Sequence, residues 1–211
     1  EVQAFYIDPL GALPAVPAFS FRDYVLAEHA IRNDTRGVTS MEWWQERIRG
    51  LPPSLALPLR AAQLPSRSRM ACKVLKVPAE QWTAITAKAR KLHLSPSAVF
   101  YGLLAEVWAM WSSTRHFTLS MLVSRRLPVH PDVSAVLGSF YSVFPFEVDF
   151  RGDEPFSQRL QLMARQMADV FKHRWCSGVD VMGEINRIHG RTGQVGIPYV
   201  MSSGIAPSRL E

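Results

Sequence analysis

The stretch Pro198-Tyr199-Val200-Met201-Ser202-Ser203-Gly204-Ile205 carries more information about the fold of this chain than any other. Its apolar residues predict a short strand over residues 197–202. The serines Ser202 and Ser203 follow the apolar run directly, so the strand is expected to present hydroxyls at its carboxyl end. A serine hydroxyl can donate and accept a hydrogen bond, which makes Ser202 a candidate functional residue.

Helices and strands alternate through the rest of the chain. Helices are predicted over residues 23–31, 78–93, 95–111, 155–174 and 179–189. A further helix is predicted to begin at Thr39-Ser40-Met41-Glu42, which has the spacing of a capping box. Strands are predicted over residues 70–77, 116–124 and 142–150, and Pro145 limits the last of these to an edge or an interrupted strand. This alternation predicts an α/β layered fold.

Two of the predicted helices are rich in apolar residues at helical spacing. The helix that begins at Ser95 is expected to be mostly buried, through Val99, Leu103, Val107, Met110 and Trp111. The helix over residues 155–174 is expected to place one face in the core, formed by Phe156, Leu160, Met163, Met167 and Phe171. Residues of these types at this spacing indicate core packing rather than a cofactor site.

The composition is that of one domain or lobe. The chain has 211 residues, of which 47% are hydrophobic, and can therefore bury a substantial core. No apolar run reaches the roughly 18 residues of a membrane span, and the first residues lack the pattern of a signal peptide, so a cytoplasmic location is expected. Cys72 and Cys176 lie far apart, which predicts reduced structural thiols, with a reactive Cys176 as the alternative, and no metal site.

The formal net charge of +6 raises the question of a nucleic-acid partner. The basic residues are dispersed and no nucleic-acid-binding motif surrounds them, so neither nucleic acid nor a membrane is expected as a partner. The charge is expected to form a solvated surface or to attract an acidic protein, whose encounter rate it would raise.

Three more stretches carry recognisable patterns. Leu51-Pro52-Pro53-Ser54-Leu55-Ala56-Leu57-Pro58-Leu59 is a proline-rich extended segment. Ser95-Pro96-Ser97 opens an apolar helix that continues to Trp111. Gly138-Ser139-Phe140-Tyr141-Ser142-Val143-Phe144-Pro145-Phe146 leads into the last long predicted strand.

Together with residues 198–205, these stretches resemble, in order and spacing, motifs of the heterocyclisation domains of nonribosomal peptide synthetases, a branch of the condensation-domain superfamily. Residues 198–205 are similar to P-V-V-F-T-S-x-L, with Ser202 at the threonine. Residues 51–59 are similar to L-P-x-x-P-x-L-P-L, and Ser95-Pro96-Ser97 to the [TS]-P-[AS] helix start. Residues 138–146 are similar to G-D-F-T-x-L-x-L-L, but Ser139 replaces the aspartate and Tyr141 the threonine.

The resemblance implies a chloramphenicol-acetyltransferase-like layered fold, in which two similar lobes meet at a tunnel for carrier-bound substrates. Residues 1–211 would be the second, C-terminal lobe of such a condensation-type domain, incomplete at its end. Residues 1–60 would form a connector and helices between the lobes, and residues 61–211 the lobe core. The first-lobe motif D-x-x-x-x-D and the later Q-T-P-Q-V-x-L-D segment are absent, so a piece of a multidomain synthetase, inactive alone, is expected.

The activity implied is amide formation between two carrier-bound substrates, followed by cyclodehydration of a cysteine, serine or threonine to a thiazoline or oxazoline. Siderophores and antibiotics are common products. The resemblance makes Ser202 the catalytic residue, as a hydrogen-bonding and positioning group rather than a nucleophile. It places Ser203, Ser139, Tyr141, Ser142 and Arg126 along the substrate tunnel.

The resemblance also implies the partners. No cofactor is expected to bind directly, because the substrates are carried on the phosphopantetheine arms of donor and acceptor peptidyl carrier proteins. These carriers, the first lobe and the neighbouring synthetase domains are the expected partners. Two alternatives stay open, an ordinary amide-forming condensation domain and a non-catalytic docking or gating module.

The remaining polar residues are interpreted more simply. His130 and His173 are expected in surface or capping roles, and Asp180 in the first turn of a helix, where the dipole favours an acid. Arg125, Arg126 and Glu147 are interpreted as surface charges. Tyr141 and Pro145 are expected to narrow the tunnel floor and to make the strand irregular near residue 145. The alternative for Tyr141 is that its ring packs outward.

Overall fold

A computed structural model of the chain describes residues 6–8, 11, 15–59, 71–190 and 196–205. Helices and strands alternate along these residues, as predicted for an α/β layered fold. The helices are α1 Phe21–Arg32, α2 Thr35–Ile48, α3 Ala79–Lys91, α4 Pro96–Trp111, α5 Phe156–Lys172 and α6 Gly178–Ile188. The strands are β1 His116–Ser124, β2 Tyr141–Asp149 and β3 Val200–Met201, and a 3-10 helix spans Pro131–Ala135.

The three strands form one mixed sheet in the order β2-β1-β3. β1 and β2 are antiparallel along their whole length, from the pair His116 and Asp149 to the pair Ser124 and Tyr141. β1 and β3 are parallel, with Ser120 beside Val200. The carboxyl ends of β1 and β3 therefore lie next to the beginning of β2.

Pro145 lies in the middle of β2, which is an edge strand among the described residues, as predicted. Its partner Ser120 donates its backbone N–H to Tyr199 O on the other side of β1, at 2.8 Å. Ser120 and Pro145 are therefore a non-hydrogen-bonded pair, and the Pro145 nitrogen faces the free edge. The expectation of an irregular strand near residue 145 is wrong, because no hydrogen bond to β1 is lost there.

The helices begin where side chains cap their free N–H groups. Ser95 Oγ accepts from Ala98 N–H at 3.1 Å, which confirms the predicted cap of α4. α2 begins at Thr35, because Asp34 accepts from the next backbone N–H groups. The predicted start at residues 39–42 is therefore wrong, and Ser40 is buried inside the helix.

Two of the predicted strands differ in the structure. Residues 71–77 form no strand, although their sequence alternates, and their side chains are exposed. A strand needs a neighbour for its N–H and C=O groups, and sequence alternation does not show whether one is near. The last strand is shorter than predicted, Val200–Met201 instead of residues 197–202.

The main core lies between the sheet and the helices. One face of β1 and β2 is buried throughout, through Phe117, Leu119, Met121, Val123, Ser142, Phe144, Phe146 and Val148. Trp44 of α2 stacks on Phe144 with ring centroids 5.4 Å apart. Leu55 joins the same cluster, so α2 and the segment that follows it share one core with the sheet.

The predicted core face of α5 is confirmed at its centre, where Leu160, Met163 and Met167 are buried. Phe156 and Phe171 near its ends are partly exposed, which corrects that prediction. Met167 and Met163 pack in the same cluster as the sheet residues, so α5 contributes to the layer that covers the sheet.

α4 buries Tyr101 and its small residues and exposes several large apolar ones. Its buried residues are Ala98, Tyr101, Gly102, Ala105 and Ala109. Met110 is 80% exposed and Trp111 is 66% exposed, and Leu103 and Val107 are also exposed. The expectation that α4 is mostly buried is therefore wrong for this face. Because the helix is apolar all round, its pattern could not indicate which face packs.

A second, smaller core lies beneath the segment between β1 and β2. It consists of Tyr24, Ile31, Leu127, Val133, Val136 and Phe140. Tyr24 donates its hydroxyl hydrogen bond to Arg125 O, so α1 is tied to the chain that leaves β1. In the part of the chain that the structure describes, no helix is long and apolar enough to cross a membrane.

Candidate functional site

The six residues predicted to form the site lie at one end of the sheet. Arg126 follows β1, Ser202 and Ser203 follow β3, and Ser139, Tyr141 and Ser142 lead into or begin β2. The strand order places these three positions side by side. We call this region, the carboxyl ends of β1 and β3 with the beginning of β2, the sheet end.

Ser202 is exposed at the sheet end. Val200, two residues before it, is also exposed, whereas Met201 between them is fully buried. Continuing the register of β3 places Ser202 next to Leu122, which pairs with Val143 on β2. Ser202 thus points to the face of the sheet that is partly open at this end.

The Ser202 hydroxyl makes no hydrogen bond to any other described residue. In particular, no histidine or carboxylate among the described residues contacts it. A serine nucleophile requires an adjacent base to remove its proton. With no partner among the described residues, the Ser202 hydroxyl can donate a hydrogen bond to a bound molecule or accept one from it.

Ser203, by contrast, is half-buried and its hydroxyl is occupied. Its Oγ lies 3.0 Å from Ser97 Oγ of α4 and accepts from Ile205 N–H at 3.3 Å. The Tyr101 hydroxyl, one turn along α4, lies beside the Ser203 backbone. The structure thus brings the Ser95-Pro96-Ser97 motif to the segment after β3.

Tyr141 and Ser139 lie at the sheet end with exposed side chains. Tyr141 is 68% exposed, which fits the alternative that its ring packs outward. Tyr141 and Ser202 stand on opposite sides of β1 and two residues apart along it, so roughly 12 Å separates their backbones. A molecule bound over Leu122 could therefore contact both.

Ser142 is buried on the helix-covered face and is hydrogen-bonded within the protein. Its Oγ accepts from Gly178 N–H at 3.1 Å, at the first residue of α6. Its side chain therefore docks α6 onto β2 instead of pointing to the open face.

Arg126 and Arg125 are not the surface charges that the sequence indicated. Arg126 is half-buried, stacks over the Phe140 ring at 3.7 Å and donates to Val136 O at 2.8 Å. Arg125 is buried, with ion pairing to Glu28 and a hydrogen bond to Arg174 O at 2.9 Å. Both guanidinium groups brace the segment that leaves β1.

Glu147 is also partly buried, which corrects its interpretation as a surface charge. It contacts His116 at 2.7 Å and Arg47 at 3.3 Å. These residues lie toward the opposite end of the sheet from Ser202, because His116 begins β1. This cluster therefore holds the fold together and is not part of the sheet end.

His130, His173 and Asp180 have structural contacts. His130 caps the 3-10 helix by accepting from Asp132 N–H at 3.1 Å. His173 stacks on Trp43 with centroids 4.4 Å apart, and burial lowers its pKa. Asp180 lies in the first turn of α6, as predicted, and pairs with Arg32 at 2.8 Å.

Of the two cysteines, Cys176 fits the predicted structural role and Cys72 does not. Cys72 is exposed and Cys176 is buried. Burial raises the pKa of the Cys176 thiol to about 12, so it is a poor nucleophile at neutral pH. Among the described residues no group of three His, Cys, Asp or Glu side chains is arranged to hold a metal ion.

The sequence analysis missed the contribution of α4. Ser97 was noted only as part of a helix-start motif, and Tyr101 was not noted at all. Their positions four residues apart place them on one helix face. That spacing is visible in the sequence, but the partner Ser203 is more than a hundred residues away.

The described fold, a small mixed sheet covered by helices, is that of a condensation-type domain. A structure of the first condensation domain of the calcium-dependent antibiotic synthetase covers 99% of this chain with a TM-score of 0.73 at 19% identity, which shows the shared fold. Residues 7–182 match the family model described as the condensation domain. The chain belongs to the condensation domain family, and the predicted family and fold are confirmed.

Within this family the chain is similar to proteins of the heterocyclisation type. The crystal structure of the EpoB cyclization-docking bidomain from Sorangium cellulosum covers 96% of this chain with a TM-score of 0.88 and 31% identity. Pyochelin synthetase PchF of Pseudomonas aeruginosa is 33% identical over 95% of the chain. Phenyloxazoline synthase MbtB of Mycobacterium sp. is 33% identical over 77% of it.

The chain spans only part of these proteins. It corresponds to 41% of the EpoB bidomain chain and to 11% of pyochelin synthetase PchF. The comparisons therefore concern one region of each of these longer relatives.

Proposed function

We propose that the chain is part of a heterocyclisation domain of a nonribosomal peptide synthetase. The domain joins two carrier-bound substrates through an amide and then cyclodehydrates a cysteine, serine or threonine to a thiazoline or oxazoline. The observation that carries the proposal is the difference between two comparisons. The cyclization bidomain fits with a TM-score of 0.88 at 31% identity, and the condensation domain with 0.73 at 19%.

The names of the relatives agree with this choice. Phenyloxazoline synthase MbtB is named for a product that contains an oxazoline ring, and pyochelin synthetase PchF for the compound that it makes. The corresponding product for this chain would carry a five-membered ring formed from an amino-acid side chain.

In the ring-closing step, the side-chain thiol or hydroxyl of the acceptor attacks the carbon of the newly formed amide. The carbonyl oxygen gains charge and is finally lost as water. We assign Ser202 the role of donating a hydrogen bond to this oxygen, since its hydroxyl is exposed and has no partner among the described residues. Ser202 replaces the family's threonine and keeps the hydroxyl that this role requires.

The proposal includes the surroundings of Ser202. Residues 1–211 would be the second lobe, with residues 1–60 toward the first lobe and residues 61–211 as its core. Ser139 and Tyr141 would lie along the substrate tunnel at the sheet end, with Arg126, Ser142 and Ser203 supporting its wall. The substrates would arrive on phosphopantetheine arms of donor and acceptor carrier proteins, and the synthetase would act in the cytoplasm.

The test is Ser202→Ala in the intact synthetase, with an acyl-loaded donor carrier and an acceptor carrier loaded in turn with cysteine, serine or threonine. Mass spectrometry separates the linear amide from the ring, which is lighter by one water. We expect amide formation to persist and ring closure to fall by about 100-fold to 1000-fold, because one hydrogen bond to the developing charge is lost.

Ser202→Thr, which restores the family's residue, is the control and should retain ring closure. An unchanged ring fraction in Ser202→Ala would contradict the role of Ser202. A wild-type enzyme that forms the amide but no ring would instead support ordinary condensation, and one that forms neither would support a docking or gating module.

A further inference from the structure

We infer that Ser97 and Tyr101 of α4 are positioning residues that set the orientation of Ser202. The inference rests on the proposed function, because it assigns a purpose to contacts that surround the proposed hydrogen-bond donor. Neither residue touches the substrate in this account. They act on Ser203, the neighbour of Ser202 in the chain.

The first contact holds the Ser203 side chain. Ser97 Oγ and Ser203 Oγ are 3.0 Å apart, and Ser203 Oγ also accepts from Ile205 N–H at 3.3 Å. A serine hydroxyl has one proton to donate and two lone pairs. The Ser203 hydroxyl can therefore bond to Ser97 and accept from Ile205 N–H at the same time, and its side chain is held from two directions.

The second contact holds the Ser203 backbone. Tyr101 is 3% exposed, and its hydroxyl lies beside the Ser203 main chain. Burial raises the pKa of Tyr101, and the nearby Ser203 backbone acts in the opposite direction without reversing the effect. The phenol therefore remains neutral at physiological pH and keeps its hydrogen-bonding capacity.

The two contacts come from one rigid element. Ser97 and Tyr101 are separated by one turn of α4, so both point from the same helix face. Ser95 caps this helix and Ala105 and Ala109 pack its next turns into the main core. Any displacement of Ser203 would therefore break contacts to a helix that is itself fixed by the core.

The orientation of Ser202 depends on these contacts because the strand before it is short. β3 pairs with β1 only at Val200 and Met201, so Ser202 lies beyond the last pair. Side chains alternate along an extended chain, so holding Ser203 toward α4 turns Ser202 toward the open face. Without the contacts from α4, the segment after β3 could rotate and carry Ser202 away.

The test compares Ser97→Ala and Tyr101→Phe with wild type in the intact synthetase, in the same carrier assay. A mispositioned donor weakens only the step that uses it, so we expect ring closure to fall by about 10-fold while amide formation changes by less than about twofold. Ser97→Thr retains the hydroxyl and should restore ring closure.

The double variant Ser97→Ala with Ser202→Ala gives the decisive readout. If Ser97 acts only through Ser202, it should have no further effect once the Ser202 hydroxyl is absent, whereas independent effects would multiply. Multiplying effects, or equal losses in both reaction steps, would overturn the inference and indicate a merely structural role.

Thr114→Ala is the matched control. Thr114 is half-buried, and its hydroxyl bridges the N–H and C=O of His116 at 3.1 Å each, at the other end of β1. Its loss should lower the Tm without changing the ratio of ring to linear amide.

The outcomes separate this inference from the proposed function. If Ser202→Ala lowers ring closure and neither Ser97→Ala nor Tyr101→Phe does, the positioning inference fails alone. If Ser202→Ala has no effect, both the role of Ser202 and the positioning inference are overturned.

Discussion

Ser202 and Ser203 are adjacent, chemically identical and placed in opposite environments. The Ser203 hydroxyl is hydrogen-bonded to Ser97 of α4, whereas the Ser202 side chain points the other way and is exposed. The division follows from the alternation of an extended chain. Among the described residues, the Ser202 hydroxyl has no partner and fits the proposed hydrogen-bond donor, whereas the Ser203 hydroxyl has the partner that the positioning proposal requires.

The two cysteines should react very differently with a thiol reagent. Iodoacetamide at pH 8 should modify Cys72, which is exposed, and leave Cys176 unmodified in the folded protein. With a pKa of about 12, only ~10⁻⁴ of the Cys176 thiol is ionised at that pH, and burial also blocks access. Peptide mass mapping before and after unfolding in urea measures both sites. Rapid labelling of Cys176 without urea would contradict its structural role.

At the scale of single residues, the sequence predicted the position of a candidate functional hydroxyl better than it predicted which charged side chains are buried. Ser202 stands where the family pattern placed it, at the end of a strand and exposed. Arg125 and Glu147 were misjudged because their partners Glu28 and Arg47 are about a hundred residues away. A charged side chain becomes buried when the fold supplies its counterion, and a local pattern does not contain that information.

At the scale of elements, the contact between α6 and β2 is close enough to require a glycine. A Cβ at Gly178 would lie 2.3 Å from Val143 O and 2.5 Å from Ser142 Oγ. The first of these atoms is backbone, so it cannot move aside without distorting the strand.

Gly178→Ala should therefore destabilise the protein, by about 1–3 kcal/mol. Gly183→Ala in the same helix is the matched control, because nothing lies within 4 Å of its added Cβ. That substitution should stabilise by about 0.5–1 kcal/mol, since alanine loses less backbone entropy in a helix. Urea unfolding of the intact domain, followed by tryptophan fluorescence, measures both. Equal effects of the two substitutions would rule out close packing at Gly178.

Helices and strands were predicted well where the residues that determine them lie within a few positions of each other. Ser95 caps α4, and β1 has its predicted bounds, because capping residues and β-branched runs act within a few positions. Asp34 was missed as the cap of α2 because residues 39–42 offered a pattern of the same kind. Residues 71–77 were mispredicted because strand formation depends on a distant neighbour.

At the scale of the molecule, the described residues leave apolar surface uncovered. The face of α4 with Leu103, Val107, Met110 and Trp111 is exposed, and the sheet is partly open around Leu122 and Val143. Exposed apolar surface of this kind marks contact with other protein. The proposed two-lobed arrangement supplies such a contact, which agrees with a chain that spans 41% of the cyclization bidomain.

A polypeptide of residues 1–211 alone should form neither the amide nor the ring when it is given both loaded carriers. The tunnel requires the other lobe, and Ser202 has no acid or base beside it among the described residues. The intact synthetase, assayed with the same carriers, is the positive control for mass spectrometry. Turnover by the isolated polypeptide would disprove the assignment as one lobe of a larger active domain.

Pro145 has a further consequence, for self-association. Edge strands aggregate because their free N–H and C=O groups pair with the edge of another molecule. The nitrogen of Pro145 faces outward at the centre of β2 and offers no proton, so an incoming strand would lose a hydrogen bond midway. β2 is thereby protected against unwanted sheet extension when a polypeptide emerges from the ribosome before its neighbouring domains have folded.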